Sequence, residues 1–409
     1  MRKQLIAWHK YLGLAFGLLL SLIGLSGSLL VFDHALDERL WPETLSQATP
    51  QQAVSLAQVL ANAQTAAVQY VATRQKVNRH PQPSRLSLSR QPASPHVVRF
   101  SAQDTLAGPI EVSVAPATGE ILAVRVWGTY TMSWLYKLHH TLLAGTTGKY
   151  IVGAMGVLLL FFCISGLAVW WPKYGRWRRA LRIQRGAGRF RLFYDLHKTL
   201  GFYLLPVLMM IAVSGFSLIF HAPVKTFISR ILPMDKPPIV VASFNPAFTG
   251  TPPSLDEVVA IGAGVFPKAE LKRLYLPSYL PNHLPSHAMH AYRLRYRQDA
   301  EYWSNHAASE VWIHAQTGKV LSSIDILESP IGNQLMAWVF PLHNGDALGL
   351  AGRWMIFFCG WVPLLLFASG LYMYCKKTPA LTGARVINGH FSNIVTLYRR
   401  LKPLFCSQP

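Results

Sequence analysis

Charge is what this sequence has least of. Asp, Glu, Lys and Arg make up 14% of its 409 residues, against roughly 25% in soluble domains. Acids are the scarcer sign, 18 against 39 cations. Cysteine is scarce too. The four, Cys163, Cys359, Cys375 and Cys406, all fall outside the two long polar stretches of the chain. That excludes a disulfide framework there. No CxxC or CxxCH occurs, which excludes a redox dithiol and covalently attached haem. There is no P-loop, no nucleophile elbow, no HExxH, and no GxGxxG that opens a helix after a strand. A nucleotide-binding domain, a serine hydrolase and a zinc peptidase are therefore not the reading.

What is present is apolar. Four segments, about 11–32, 150–171, 199–220 and 354–375, carry no Asp, Glu, Lys, Arg or His. A bilayer needs roughly 20 such residues per helix. The first segment is longer than a signal peptide's apolar core, and its small-residue triple Ser26-Gly27-Ser28 lies inside the run. It is expected to be an uncleaved anchor. The excess cations sit at the start of the chain, in the linker 172–196 and in the tail 376–409, which together hold 17 Lys and Arg against Asp195 alone. If the spans alternate, all three segments lie on one side, the positive-inside pattern. Both termini are then cytoplasmic and the two polar stretches are exported. This placement accounts for the net charge without nucleic acid, and the basic linker also suits contact with anionic membrane lipid.

The chain repeats itself. His9–Phe32 (HKYLGLAFGLLLSLIGLSGSLLVF) matches His197–Phe220 (HKTLGFYLLPVLMMIAVSGFSLIF) at an offset of 188 residues, sharing His-Lys, Leu-Gly, Ser-Gly and the closing Phe. Trp134–His139 matches Trp338–His343 at an offset of 204, and Gly145, Gly148, Lys149, Ser165 and Gly166 find Gly349, Gly352, Arg353, Ser369 and Gly370. The exported stretches repeat as well. Each begins with a helical pattern, 55–68 and 254–266, the second opened by a Ser254/Glu257 capping box. Three strand-like runs follow in each: Arg85–Ser89, His96–Ser101 and Ile110–Arg125, then Glu270–Leu276, Ala291–Arg297 and Glu310–Ser323. The last run of each holds a Thr-Gly turn, EVSVAPATGEIL against EVWIHAQTGKVL. The fold expected is a tandem duplication, about 1–188 and 189–385: four transmembrane helices with two exported helix-plus-antiparallel-sheet domains. In order, the pieces are a first span (1–32), a first exported domain (33–133), a histidine segment with the second span (134–171), the basic linker (172–196), a third span (197–220), a second exported domain (221–337), a histidine segment with the fourth span (338–375) and a basic tail (376–409).

Duplication turns single histidines into pairs. His9 pairs with His197 at the cytoplasmic mouths of spans one and three, and His139 with His343 on the exported side. Two histidines facing each other across a bundle can supply both axial ligands of one haem, and iron so filled suits electron transfer. One haem b near each face, two in all, would make a transmembrane electron path. Lys10 and Lys198 beside the first pair, and Lys149 and Arg353 beyond the second, are candidate partners for haem propionates. His140, His221 and His34 are secondary ligand candidates on the exported side. His283, His287 and His290 have metal-like spacing, but Pro285 interrupts any helix and the first half has no counterpart. A loop is expected there.

The HK-x-LG heads of spans one and three, the LHNGDALGLAG stretch before span four and the two (V/I)xxxTG(E/K)(I/V)L segments resemble the PepSY-associated transmembrane proteins. That family includes iron-regulated inner-membrane proteins and ferrisiderophore reductases. The resemblance covers about residues 1–385. It implies two periplasmic PepSY-like domains on a haem-binding four-helix core, in a bacterial inner membrane. It also implies electrons passed to a ferric siderophore in the periplasm, with release of Fe(II). His9, His197, His139 and His343 fall at the family's histidine positions, and the first half departs from the pattern in carrying His140. With no flavin or nicotinamide domain in the chain, a cytoplasmic or membrane electron donor is required. The alternative is a PepSY-type binding or regulatory protein, inhibiting a peptidase or sensing the envelope, with no need of the histidines. A transporter is disfavoured, because no ionisable group lies mid-span.

Overall fold

A computed structural model describes residues 2–45, 54–75, 80–91, 94–102, 108–172, 175–184, 186–235, 242–277, 290–301, 303 and 306–377. His283, His287 and the tail beyond Lys377 lie outside these. The chain divides into a helical unit (the chain up to Val31, Leu138–Ile219 and from Trp354 on) and a sheet unit (Phe32–Lys137 and Phe220–Arg353).

The helices are α1 Arg2–Leu30, α2 Asp33–Leu40, α3 Leu56–Gln75, α4 Thr131–Thr141, α5 Gly145–Trp170, α6 Trp177–Leu181, α7 Arg189–Tyr203, α8 Leu205–Ile219, α9 His221–Ile231, α10 Leu255–Val265, α11 Ile331–Asn344, α12 Gly349–Cys359 and α13 Val362–Lys377. The strands are β1 Pro83–Ser87, β2 His96–Ala102, β3 Pro109–Val114, β4 Ile121–Val126, β5 Glu270–Tyr275, β6 Ala291–Arg297, β7 Ser309–His314 and β8 Val320–Ile324.

Among the described residues α1, α5 and the stretch Asp346–Lys377 are long and apolar enough to cross a membrane. The third expected span is not one straight helix. α7 and α8 meet at 61°. Pro206 stands second in α8; it has no N–H to give, and its ring blocks the carbonyl four residues back. The pair counts as a fourth span only if the bent helices are taken together. This is a multi-pass membrane protein by the length and composition of its helices. α1 packs on α5 and α13, α5 on α8, and α7 on α13.

In the sheet unit the two expected domains are fused. Their strands form one eight-stranded antiparallel sheet in the order β4-β3-β2-β1-β5-β6-β7-β8, joined where β1 pairs with β5. Each half supplies four strands where three runs were expected, because the last run folds into a hairpin at its Thr-Gly turn. Gly119 and Gly318 sit there at φ 72° and 69°, a conformation that costs glycine nothing. α3 and α10 cover one face of the sheet and close a single core with Val59, Ala63, Val258, Leu86, Phe100, Leu274, Leu294 and Ile313, all fully buried. Each of these side chains larger than alanine contributes about 1.5–3 kcal/mol. Ser254 caps α10 in a full capping box with Glu257. Asp256 in turn accepts from the backbone N–H groups of Leu56 and Ala57 at 2.8 and 3.3 Å, so α10 caps α3.

The other face of the sheet is charged. Register places Glu111, Arg99, Arg85, Tyr275 and Arg293 opposite one another in one row, on β3, β2, β1, β5 and β6. Ser87, Arg273, Arg295 and Glu310 form the adjacent row.

Candidate functional site

His9 lies two turns into α1 and His197 on α7. Their ring centres are 6.5 Å apart and the rings are inclined by 75°. His9 Nδ1 is 2.8 Å from the Ser165 hydroxyl on α5, and His197 Nδ1 is 2.8 Å from the Ser369 hydroxyl on α13. Ser369 itself donates to the Leu365 carbonyl at 2.8 Å, and Ser165 to that of Phe162 at 3.4 Å. With the serine proton turned to the main chain, the serine oxygen accepts and Nδ1 carries the imidazole hydrogen. Nε2 is then left with its lone pair, the tautomer in which histidine binds a metal.

The spacing fits that role. A metal–imidazole bond is about 2.0–2.1 Å, and the bonded nitrogen lies ~1.1 Å from the ring centre. A metal held linearly between two imidazoles therefore sets the ring centres about 6.3 Å apart. Gly13 and Gly201 stand one turn beyond His9 and His197, on the same helix faces. A Cβ built on Gly13 would meet Phe162, and one on Gly201 would meet Leu366, each at 4.0 Å, so a methyl group fits at both positions in ordinary contact. Gly166 and Gly370, next to the serines, lie against the imidazole edges; a Cβ on them would be 3.3 and 3.8 Å from Cε1 of His9 and His197.

The outer histidines are distributed differently. His139 stands in the last turn of α4 and belongs to the helical unit. Its Nδ1 is 2.9 Å from the Ile23 carbonyl, which can only accept, and 3.2 Å from the Ser26 hydroxyl. Nδ1–H is thus the donor to the Ile23 carbonyl here. His343 occupies the equivalent last turn of α11, in the sheet unit, as do His34, His221 and Arg353. His34 is exposed beside Asp33 at 3.4 Å, and His221 is exposed at the start of α9. His140 follows His139 in the same turn.

Among the cations, Lys10 is exposed, its ammonium 4.1 Å from the Tyr11 ring centre, and the Arg353 guanidinium lies over Phe32 at 4.9 Å. Lys149 is half-buried in the first turns of α5. Lys198 is already engaged: Asp195, fully buried, takes its ammonium at 2.6 Å together with Arg191 Nε and the backbone N–H of Gln184, each at 3.0 Å. No group of three metal-ligating side chains occurs among the described residues, and His290 meets Phe244 rather than a metal cluster.

Two features escaped the sequence reading. The Ser-Gly step was visible in every span, at 26–27, 165–166, 214–215 and 369–370, but only as a mark of the repeat; in three of the four its serine contacts a histidine. Asp195 read as a lone acid in a basic linker, and its burial gave no signal in the sequence.

A family model described as PepSY-associated TM region matches residues 6–377. The chain belongs to that family. It is similar to Uncharacterized protein PA4219 of Pseudomonas aeruginosa, with 33% identity over 81 residues, a stretch that is 20% of each chain.

Proposed function

We propose that this is a bacterial inner-membrane haem-b protein that carries electrons across the membrane to ferric siderophores in the periplasm, releasing Fe(II) for uptake. In this reading both termini are cytoplasmic, the sheet unit is periplasmic, and a cytoplasmic or membrane donor supplies the electrons. The observation that carries it is the matched seat of His9 and His197: ring centres at 6.5 Å, each Nδ1 held by a serine at 2.8 Å. Haem, when bound, would supply one-electron chemistry. His9 and His197 would hold its iron through Nε2, while the serines fix the tautomer and the ring tilt. Iron held by two histidines would suit electron transfer rather than oxygen binding. His139, with the same tautomer, is the outer ligand candidate, and His343 its duplicate. Reduction releases the metal because hard oxygen donors hold Fe(III) far better than Fe(II).

The test is a visible spectrum of the purified full chain. A b-type spectrum, reduced by dithionite and reoxidised by a ferric chelate, is the expected result. His9→Ala and His197→Ala should each remove the same half of the absorbance. Colourless protein from haem-replete cells would sink the proposal and favour the PepSY-type binding protein instead.

A further inference from the structure

The charged face of the sheet is unbalanced at its centre. Toward the outer strands each arginine has an acid. Arg99 Nη2 is 2.6 Å from Glu111, Arg293 binds Glu310 with both nitrogens of its fork, and Arg295 lies 3.4 Å from the same carboxylate. The two central strands carry Arg85 and Arg273, and neither has a carboxylate within 4 Å among the described residues. They are equivalents in the two halves, 188 residues apart. Arg85 stands opposite Tyr275, and Arg273 opposite Ser87. The two arginines are therefore diagonal neighbours on one face, about 7–8 Å apart at the backbone.

Two like charges are thus held side by side in a half-buried place. Burial first, and then neighbouring arginines, hold both guanidiniums below the ordinary arginine pKa. Burial alone would raise the Tyr275 phenol, yet the arginines around it, Arg273 foremost, bring it below its usual value. Arg85 Nε is shielded from solvent and has no hydrogen-bond partner. A buried donor in a native protein is nearly always satisfied, so this one is available to an acceptor beyond the described residues. Arginine forks match carboxylates two bonds at a time.

We propose that Arg85 and Arg273 form a binding site for a small polycarboxylate on the central strands of the sheet. This rests on the proposed function for its purpose: the substrates favoured are ferric chelates whose ligand bears free or iron-bound carboxylates, rather than neutral hydroxamates. The arginines would hold the chelate's carboxylates and take no part in electron transfer.

Iron-free citrate is the probe, titrated calorimetrically into the detergent-solubilised full chain at low salt, with a neutral trihydroxamate as the contrast. Citrate should bind saturably and the trihydroxamate should not. Arg85→Gln and Arg273→Gln should each weaken citrate at least tenfold. Arg85→Lys should weaken it less, and Lys319→Gln, on the exposed hairpin, should leave it unchanged. The glutamine variants without citrate should melt no lower than the parent, because each removes a like-charge contact. Citrate that fails to bind the parent, or binds the glutamine variants as tightly, overturns the site. So does a loss of haem absorbance in those variants alone, since the arginines would then serve the cofactor's own carboxylates. Because the titration needs neither iron nor electrons, a colourless protein that binds citrate would overturn the proposed function and leave this site standing.

Discussion

The two halves of the chain reach the same histidine seat by different routes. In the first half α1 runs unbroken through His9. In the second, α7 carries His197 and then turns by 61° into α8. Yet His9 and His197 meet their serines at one distance, 2.8 Å. The seat is therefore set by the partner helix, through its Ser-Gly step, and not by the path of the helix that bears the histidine. What differs between the halves belongs to local folding. Asp195 braces α7, where α1 has Ala7; His96 is buried in β2, where β6 has Tyr292; Leu142 and Leu143 turn the first half toward its span, where the second half uses Gly345.

The largest break in this comparison is Asp195→Asn. The carboxylate is 0% exposed and holds Lys198, itself 8% exposed, together with Arg191. Removing one partner of a buried ion pair costs about 3–5 kcal/mol. Chemical unfolding of the full chain in detergent should show that loss. Ala7→Asp in the first half should recover little of it: Lys3 and Lys10 stand at the spacings of Arg191 and Lys198 but are exposed, so the pairs formed would be surface ones. A loss under about 1 kcal/mol would mean the pair contributes no more than a surface one.

Next come the glycines against the imidazoles. A Cβ on Gly27 would lie 2.6 Å from His139 Cε1, on Gly166 3.3 Å from His9, and on Gly370 3.8 Å from His197. Gly27→Ala must displace its ring and should cost about 1–3 kcal/mol. Gly370→Ala makes an ordinary contact and gains about 0.5–1 kcal/mol of helix propensity. Gly166→Ala falls between them. Melting temperatures in that order would confirm graded contact. A reversed order would show that the rings are not what these glycines accommodate.

The sheet unit offers a pH test. Burial lowers the His96 pKa from 6.5 to about 4, and its Nδ1 accepts from the Ser89 backbone N–H at 2.9 Å. A neutral imidazole is thus built in, so the folded state binds fewer protons than the unfolded one. The stabilisation is complete above pH 6.5 and is lost as pH falls from there through 4. Between pH 7 and pH 5 the loss is about 2 kcal/mol. His96→Gln, which keeps an acceptor, should flatten that slope. An unchanged slope would place the acid sensitivity elsewhere.

Much of this was legible in the sequence, for identifiable reasons. Spans one, two and four follow from apolar length, and the Ser254 cap and the Thr-Gly turns from local chemistry. Fusion of the two sheets was not legible. β1 pairs with β5 across some 190 residues, and alternation along a strand does not reveal its neighbour. The bend before Pro206 was written in the sequence as a proline, but the apolar run on both sides hid it. At the site, duplication pointed to His9 and His197 as a pair. Their seats on Ser165 and Ser369 lie more than 150 residues away and appear only when the helices are packed. The arginines of the sheet were legible as residues of strand-like runs, but their alignment was not, because the strand register that sets Arg85 opposite Tyr275 is a tertiary fact.

The smallest expected effect concerns how each half turns toward its second span. Gly345 stands at φ 82°, and a Cβ there would come within 2.4 Å of the Gly352 carbonyl. The first half makes its turn with Leu142 and Leu143 at φ 50° and 59°. A left-handed leucine costs about 1–2 kcal/mol relative to glycine. Leu142 is half-buried, so replacing it would also remove packing. Leu143 is 46% exposed and isolates the backbone term. Leu143→Gly relieves the strain but adds freedom to the unfolded chain, which leaves a net gain of about 0.5–1 kcal/mol. Gly345→Leu should do the opposite and cost more, because steric overlap adds to strain. If both exchanges were neutral, the two turns would be interchangeable. If Leu143→Gly destabilised, the leucine side chain would be held by something in the membrane, and the difference between the halves would lie in lipid contact rather than in the turn.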